Sequence, residues 1–122
     1  MTKQTVEAPP VNVYEAGDQL TIAIPMPGAH HDTVDVRLEG RQLILDAEAR
    51  YPQEQQHYLQ HEWSVGTSHR EIGLPKPVRS RGAKAMLTHG ILTISLPIGT
   101  EEGSSRIRIP VTEPPTHQGQ PH

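Results

Sequence analysis

Apolar and polar residues alternate one by one in several short segments of this chain, and this period of two limits its possible folds more than any other feature. The clearest segment is Val34-Asp35-Val36-Arg37-Leu38, whose three apolar side chains would share one face of an extended strand. Gly40-Arg41 follows as a turn signal and leads into Leu43-Ile44-Leu45, so the two segments predict a β-hairpin. The chain also contains 12 prolines, several of them between apolar runs, which argues against long helices.

Further strand-like segments are separated by turn signals at near-regular spacing. They lie near residues 11–14, 20–24, 62–74, 83–87 and 91–96. Within the third of these, Trp63 and Val65 share one parity while Ile72 and Leu74 share the other, which predicts a β-bulge near Gly66. Seven or eight short strands of this kind predict an all-β fold, an immunoglobulin-like antiparallel β-sandwich.

Composition divides the chain of 122 residues into three parts. Residues 1–10 are expected to form a short polar amino-terminal arm, residues 11–98 one folded domain, and residues 99–122 a flexible carboxy-terminal extension. The extension is polar and rich in glycine and proline, so it cannot bury enough apolar surface to fold alone.

One apolar alternation, Ile107-Arg108-Ile109, stands isolated in this extension. On an extended backbone the two isoleucines would point one way and Arg108 the other. We predict that the isoleucines bind in a groove on another surface, which makes the chain a candidate for self-assembly. Burying both would contribute about 3–6 kcal/mol, against an association cost of about 4–15 kcal/mol, so one contact alone would be weak and reversible.

Composition also excludes several classes of protein. The net charge is −3, no block of Lys or Arg is present, and aromatic residues make up only 3% of the chain, which argues against nucleic-acid binding. The absence of cysteine excludes disulfides and thiolate sites. No apolar run approaches the length of a membrane span or a signal peptide, so we expect a cytoplasmic protein.

Neither a metal site nor a catalytic site is predicted. Eight histidines invite a metal-binding interpretation, but His57 and His61 would converge only on a helix, which Pro52 and the strand pattern argue against. Residues 66–70 resemble a nucleophile elbow only until Arg70 occupies the place of the second glycine. We therefore expect no enzyme activity and no cofactor, while the histidines remain candidates for pH-dependent assembly.

Residues 83–97 resemble the closing strand pair of the alpha-crystallin domain, where the pattern Ala-x-Leu-x-x-Gly-Val-Leu-x-Ile-x-Leu-Pro recurs and Ile91 here takes the place of Val. Four further motifs resemble the same domain in the same order. They lie at residues 26–28 with 34–45, at 58–62, at 70–75 and at 107–109. The sequence thus resembles a small heat-shock protein of prokaryotic type, with the usual apolar amino-terminal arm reduced to a short polar one.

The resemblance implies an ATP-independent chaperone that binds partly unfolded client proteins and assembles as a homodimer or small homo-oligomer. It also implies two surfaces. The groove for the tail or a client would be lined by Val34, Val36, Leu38, Ala83 and Ala85. The dimer interface would contain Arg70 and an exchange loop near residues 49–60, with Tyr58, Leu59 and Glu62.

Other interpretations of these residues stay open. Val34, Val36 and Leu38 could be ordinary core, and the two tail isoleucines could pack against their own domain. Arg70 could be a solvated strand residue, and the loop could be merely flexible. The alternative function is a co-chaperone adaptor of the related CS-domain type, which docks one dedicated partner and is expected to be a monomer.

Overall fold

The structure, a computed structural model, describes residues 6–49, 57–62, 66–100 and 106–114. Ten strands lie in these ranges: β1 (Val6–Glu7), β2 (Asn12–Ala16), β3 (Gln19–Pro25), β4 (Ala29–Glu39), β5 (Gln42–Ala49), β6 (Thr67–Gly73), β7 (Lys84–Thr88), β8 (Ile91–Pro97), β9 (Arg106–Ile109) and β10 (Val111–Thr112). No helix long and apolar enough to cross a membrane occurs in these ranges.

The strands form two five-stranded sheets. Sheet one has the order β1-β6-β5-β4-β9, and sheet two has the order β10-β7-β8-β3-β2. All pairs are antiparallel except β1 with β6 and β10 with β7, which are parallel. The predicted all-β sandwich is confirmed, with β1 and β10 added from segments too short and too polar to be predicted as strands.

The predicted hairpin is also confirmed, because β4 and β5 pair with Leu38 opposite Leu43 around a turn at Gly40 and Arg41. A second two-residue turn joins β7 to β8. Its central residues, His89 and Gly90, have φ angles of 54° and 75°. Two positive φ angles are typical of the type I′ turn, whose twist matches that of the strands it joins.

Aliphatic residues fill the space between the sheets, as the strand alternation requires. Those buried include Leu20, Ile22, Ile24, Val34, Val36, Leu38, Leu43, Leu45, Ile72, Leu87, Leu92, Ile94 and Leu96. Polar residues at the intervening positions of β4, β5 and β6 lie on the outer face of sheet one. Strand alternation alone therefore sorts the side chains between core and surface.

The strand predicted to run from about residue 62 begins later, at Thr67. It pairs with β5 without a register shift from Gln42 opposite Gly73 to Glu48 opposite Thr67, and β5 ends one residue later. Among the described strands, β4 contains a register shift, between Ala29 and Val34. Trp63 and Val65, which suggested the bulge near Gly66, lie outside the described residues.

The start of the carboxy-terminal extension is held firmly at one end of the sandwich. Ile98 forms a β-bridge with Val78, and its amide donates to the carbonyl of Asp18 at 2.9 Å. The amide of Gly99 donates to the carbonyl of Pro77 at 3.0 Å. The extension therefore leaves the domain from a fixed point at Gly99.

Candidate binding groove

The residues predicted to line a groove lie at one edge of the sandwich. Val34, Val36 and Leu38 are buried on the inner side of β4, and Ala85 is buried on β7, while Ala83 is half-buried just before β7. β4 and β7 belong to different sheets but contact each other. The edge is thus a cleft between two sheets, lined by branched aliphatic residues on one side and by small alanines on the other.

The carboxy-terminal segment occupies this cleft and extends both sheets. β9 pairs with β4, placing Ile109 opposite Val36 and Ile107 opposite Leu38. β10 pairs with β7, placing Val111 opposite Ala85. Pro110 lies between the two short strands, at the point where the segment crosses from sheet one to sheet two, and it has no amide hydrogen to pair.

Burial differs among the apolar residues of this segment. Ile109 is only 2% exposed and belongs to the core, while Ile107 and Val111 are partly buried against it. The hydroxyl of Thr112 donates to the carbonyl of Ala85 at 3.3 Å. Ile109 is therefore the principal apolar anchor of the segment. All of these contacts lie within one chain, whereas binding in the groove of a neighbouring subunit stays a prediction.

On the outer face of sheet one, the carboxylate of Asp35 bridges two arginines. Its Oδ1 lies 2.6 Å from Nε of Arg108 on the tail, and its Oδ2 lies 3.1 Å from Nε of Arg37. Arg37 also lies 3.1 Å from Asp46 and 3.6 Å from Glu39. The hydrogen bond to Asp46 is the main cause of a raised pKa of Arg37.

The same chain of charges continues to β6. His69 Nδ1 lies 2.6 Å from Asp46, and His69 Nε2 lies 3.1 Å from Glu71. The hydrogen bond to Asp46, followed by that to Glu71, raises the pKa of His69, while the hydrogen bond from His69 lowers the pKa of Asp46. We call the whole series the charge ladder: Arg108, Asp35, Arg37, Asp46, His69 and Glu71.

Sequence reasoning placed Arg108 on the outer side of the tail but missed its partner. A usable signal was present, because Asp35 and Arg37 are the polar positions of the clearest alternation and must face outward together. What could not be read from the sequence is which strand lies beside β4. That neighbour is β9, more than sixty residues away along the chain.

Arg70, predicted at the dimer interface, holds the amino-terminal arm of its own chain. Its guanidinium donates to the carbonyl of Pro9 at 2.9 Å, and Pro9 is buried. Just before that point, β1 pairs with β6, with Val6 opposite Thr67. A contact of Arg70 with a partner subunit stays a prediction.

The predicted exchange loop is described only over residues 57–62, where it forms no strand; residues 50–56 and 63–65 lie outside the described residues. Tyr58 stacks on His61 with ring centroids 4.3 Å apart. Leu59 is 95% exposed, and Glu62 is exposed. The structure does not place these residues in the groove, and their role at a dimer interface stays a prediction.

β2 is the last strand of sheet two, and all five of its residues are exposed. Within the ranges described, β3 is its only neighbour in the sheet. No group of three or more His, Asp or Glu side chains is arranged to hold a metal ion among the described residues. Two features are therefore candidates for interaction surfaces, namely the groove between β4 and β7 and the outer edge of β2.

The chain matches the model of a known protein family over most of its length. A model of the Hsp20/alpha crystallin family matches residues 12–112 of the chain. The match includes both sheets from β2 onward and continues through β9 and β10.

Solved structures of small heat-shock proteins have the same fold. The chain is 24% identical to a small heat-shock protein from Xylella fastidiosa, with a TM-score of 0.69 over 86% of this chain and 98% of that one. It is 22% identical to heat shock protein 16.0 from Schizosaccharomyces pombe, with a TM-score of 0.69 over 79% and 70%. It is 30% identical to the Del-C4 mutant of hsp14.1 from Sulfolobus solfatataricus P2, with a TM-score of 0.60 over 80% and 79%.

Proposed function

This chain belongs to the Hsp20/alpha crystallin family, and from that premise we propose that it is an ATP-independent chaperone that holds partly unfolded proteins and limits their aggregation. The observation that carries the proposal is the groove between β4 and β7, filled by a short segment of the same chain. An occupant attached through so few residues can leave the groove without unfolding the sandwich.

Release of the segment would uncover two kinds of binding surface at once. Apolar surface on Val36, Leu38 and Ala85 would become accessible, and the backbone edges of β4 and β7 would lose their partners. An extended apolar stretch of an unfolded client could then pair with those edges, as in other cases of strand addition. Binding of this kind needs no nucleotide, because the groove is already formed.

The same segment supplies a route to self-assembly. If it leaves its own groove and enters that of a second copy, it packs against the same residues there, which makes exchange between subunits a low-cost step. Full burial of Ile109 contributes about 1.5–3 kcal/mol, which is too little to hold two subunits alone. Several such segments within one assembly gain from effective concentration.

Dimerisation is proposed to use the other interaction surface. No strand in the described part of the chain pairs with the outer edge of β2, and such an edge is a template for a strand from another chain. The loop near residues 49–60 is the proposed source of that strand, with the exposed Leu59 as its apolar anchor. Arg70 is proposed to lie near this contact as well as holding the amino-terminal arm.

The proposal is tested by an ATP-free aggregation assay with a model client, paired with light scattering, on the wild type and an Ile107→Gly, Ile109→Gly double variant. We expect the variant to fall to dimers, because the anchors of the exchanged segment are gone. The matched control changes two exposed residues of the same tail, Glu113→Gly and Pro114→Gly, and should leave the assembly unchanged.

Each result has a definite meaning. An assembly of unchanged mass in the isoleucine variant would show that the segment does not join subunits. A wild type that fails to suppress aggregation would contradict the chaperone itself. A monomeric wild type with that failure would favour the CS-domain-type adaptor instead.

A further inference from the structure

We propose that the groove selects its occupants by charge, favouring an extended client segment in which a basic residue stands between two branched aliphatic residues and disfavouring one with an acidic residue there. The inference rests on the proposed function, since it names the class of peptide that the groove binds. It follows from the outer side of β4, which the apolar contacts do not use.

Two carboxylates of β4 face the outer side of the occupant strand. Asp35 and Glu39 have side chains about one-third exposed, at 31% and 32%. Arg106 of the tail lies directly opposite Glu39, and Arg108 forms an ion pair with Asp35 from the diagonal position. The outward positions of the tail strand thus match a pair of acidic positions on the groove strand.

The one cation in this part of β4 does not reverse that preference. Arg37 lies directly opposite Arg108, and two like charges so placed would repel each other. Asp35 lies between them and contacts both guanidinium groups. Arg37 is also shared with Glu39 and Asp46, so three carboxylates surround one guanidinium. This edge therefore accepts a second cation and disfavours a further anion.

The inner and outer sides of the occupant have separate roles. The inner side of the occupant binds through burial of its apolar side chains, and any branched aliphatic residue can be buried there. The outer side is exposed, with Arg108 at 75%, so its ion pair is screened and individually weak. We expect loss of this pair to weaken binding about two- to fivefold. Reversal of the charge should weaken it about tenfold, because repulsion from Asp35 is added.

The test measures binding of labelled peptides to the full-length chain carrying Ile107→Gly and Ile109→Gly, whose own tail no longer competes. Four synthetic peptides cover residues 104–113: the natural sequence, Arg108→Gln, Arg108→Glu, and a peptide with both isoleucines replaced by glycine. Fluorescence anisotropy gives the dissociation constants at low and at high salt. We expect the order natural, then Arg108→Gln, then Arg108→Glu, with differences that shrink at high salt.

A charge exchange on the groove strand identifies the partner. With Asp35→Lys in the same full-length background, the Arg108→Glu peptide should bind more tightly than the natural peptide, reversing the order. Circular dichroism checks that the Asp35→Lys variant is folded. The salt dependence of peptide binding to the groove with Asp35 intact tests the charge preference without that variant.

The outcomes separate this inference from the proposed function. Equal binding of the natural, Arg108→Gln and Arg108→Glu peptides would overturn the charge preference and leave the apolar groove in place. Binding of the glycine peptide as tightly as the natural one, or no binding of any peptide, would contradict the groove itself and with it both proposals.

Discussion

Ile109 shows how a single residue outside the predicted domain can complete its core. It is as deeply buried as the strand residues that it contacts, opposite Val36, although it reaches that place from a polar extension. Ile107, two residues earlier, is only partly buried. The two isoleucines of one motif therefore differ in what they contribute.

We predict that Ile109→Ala lowers the free energy of unfolding by about 1–3 kcal/mol, and Ile107→Ala by roughly half as much. Truncation of a buried isoleucine to alanine typically lowers the free energy of unfolding by about 2–5 kcal/mol. Here the segment can leave the groove, which limits the loss. Urea denaturation at one fixed protein concentration measures both values. Equal losses from the two substitutions would show that Ile109 is not the principal anchor.

His69 makes part of the stability dependent on pH. Its pKa is raised from 6.5, so its contribution is complete below pH 6.5 and is lost as the pH rises through the pKa of the folded state. The pKa of Asp46 is lowered from 3.8, so its contribution is present above pH 3.8 and is lost as the pH falls through the pKa of the folded state. Both contributions are complete between those two values.

We therefore predict that His69→Gln lowers the melting temperature more at pH 5.5 than at pH 8.5. The control is His31→Gln, which changes an exposed histidine on β4. Differential scanning fluorimetry over this range measures both variants. A loss that grows with rising pH would contradict the ion pairs of His69 with Asp46 and Glu71.

At the scale of elements, the strands that could be predicted are those whose alternation is local. The hairpin of β4 and β5 follows from Val34-Asp35-Val36-Arg37-Leu38 and the turn at Gly40. β1 and β10 could not be predicted, since each has two residues and depends on a parallel partner far along the chain. β6 also begins later than predicted, at Thr67, and this start depends on its neighbour, because β5 ends one residue beyond the partner of Thr67.

The residues predicted to line the groove lie on β4 and next to or on β7, and their role in binding a tail or a client stays a prediction. The resemblance identified Val36, Leu38 and Ala85, and the alternation of the tail identified which side of it would be apolar. The charge ladder was missed because it joins four strands, and their order in the sheet is set by packing rather than by local pattern.

The turn between β7 and β8 gives a prediction of its own. His89 has a positive φ, which costs energy in any residue with a side chain and least in Asn. Asn-Gly is the preferred pair in a type I′ turn, so His89→Asn should stabilise the chain by less than about 1 kcal/mol, a part of the full cost of a left-handed residue. Gly90→Ala, which places a side chain at a φ of 75°, should destabilise it. Thermal unfolding distinguishes the two, and stabilisation by Gly90→Ala would contradict the turn type.

At the scale of the whole molecule, the two ends of the chain cover most of the sandwich's open edges. The amino-terminal β1 covers β6, and the carboxy-terminal β9 and β10 cover β4 and β7. The described part of the chain has four edge strands, β1, β9, β10 and β2. β2 is the longest of them, with five residues, and all five are exposed. While both termini stay in place these edges are covered, and β2 is the edge proposed for dimerisation.

We predict that removal of residues 51–60 yields monomers, because the strand proposed to add to β2 of the partner is lost. Light scattering measures the mass. A second variant replaces residues 57–62 with Gly and Ser at equal length, which keeps the connection and removes Leu59, and it should also dissociate. An unchanged dimer mass in both variants would contradict the exchange loop.

The fixed departure of the extension at Gly99 also sets a length scale. Seven residue steps separate Gly99 from Arg106, and a fully extended chain covers about 3.3–3.6 Å per step, or roughly 24 Å in all. The segment can therefore reach its own groove, or any groove whose near end lies within that radius of the donor's Gly99. If the segment binds the groove of a neighbouring subunit, as proposed, the length of the extension limits how far apart the two subunits can lie, and each inserted residue should raise that limit by about 3.4 Å.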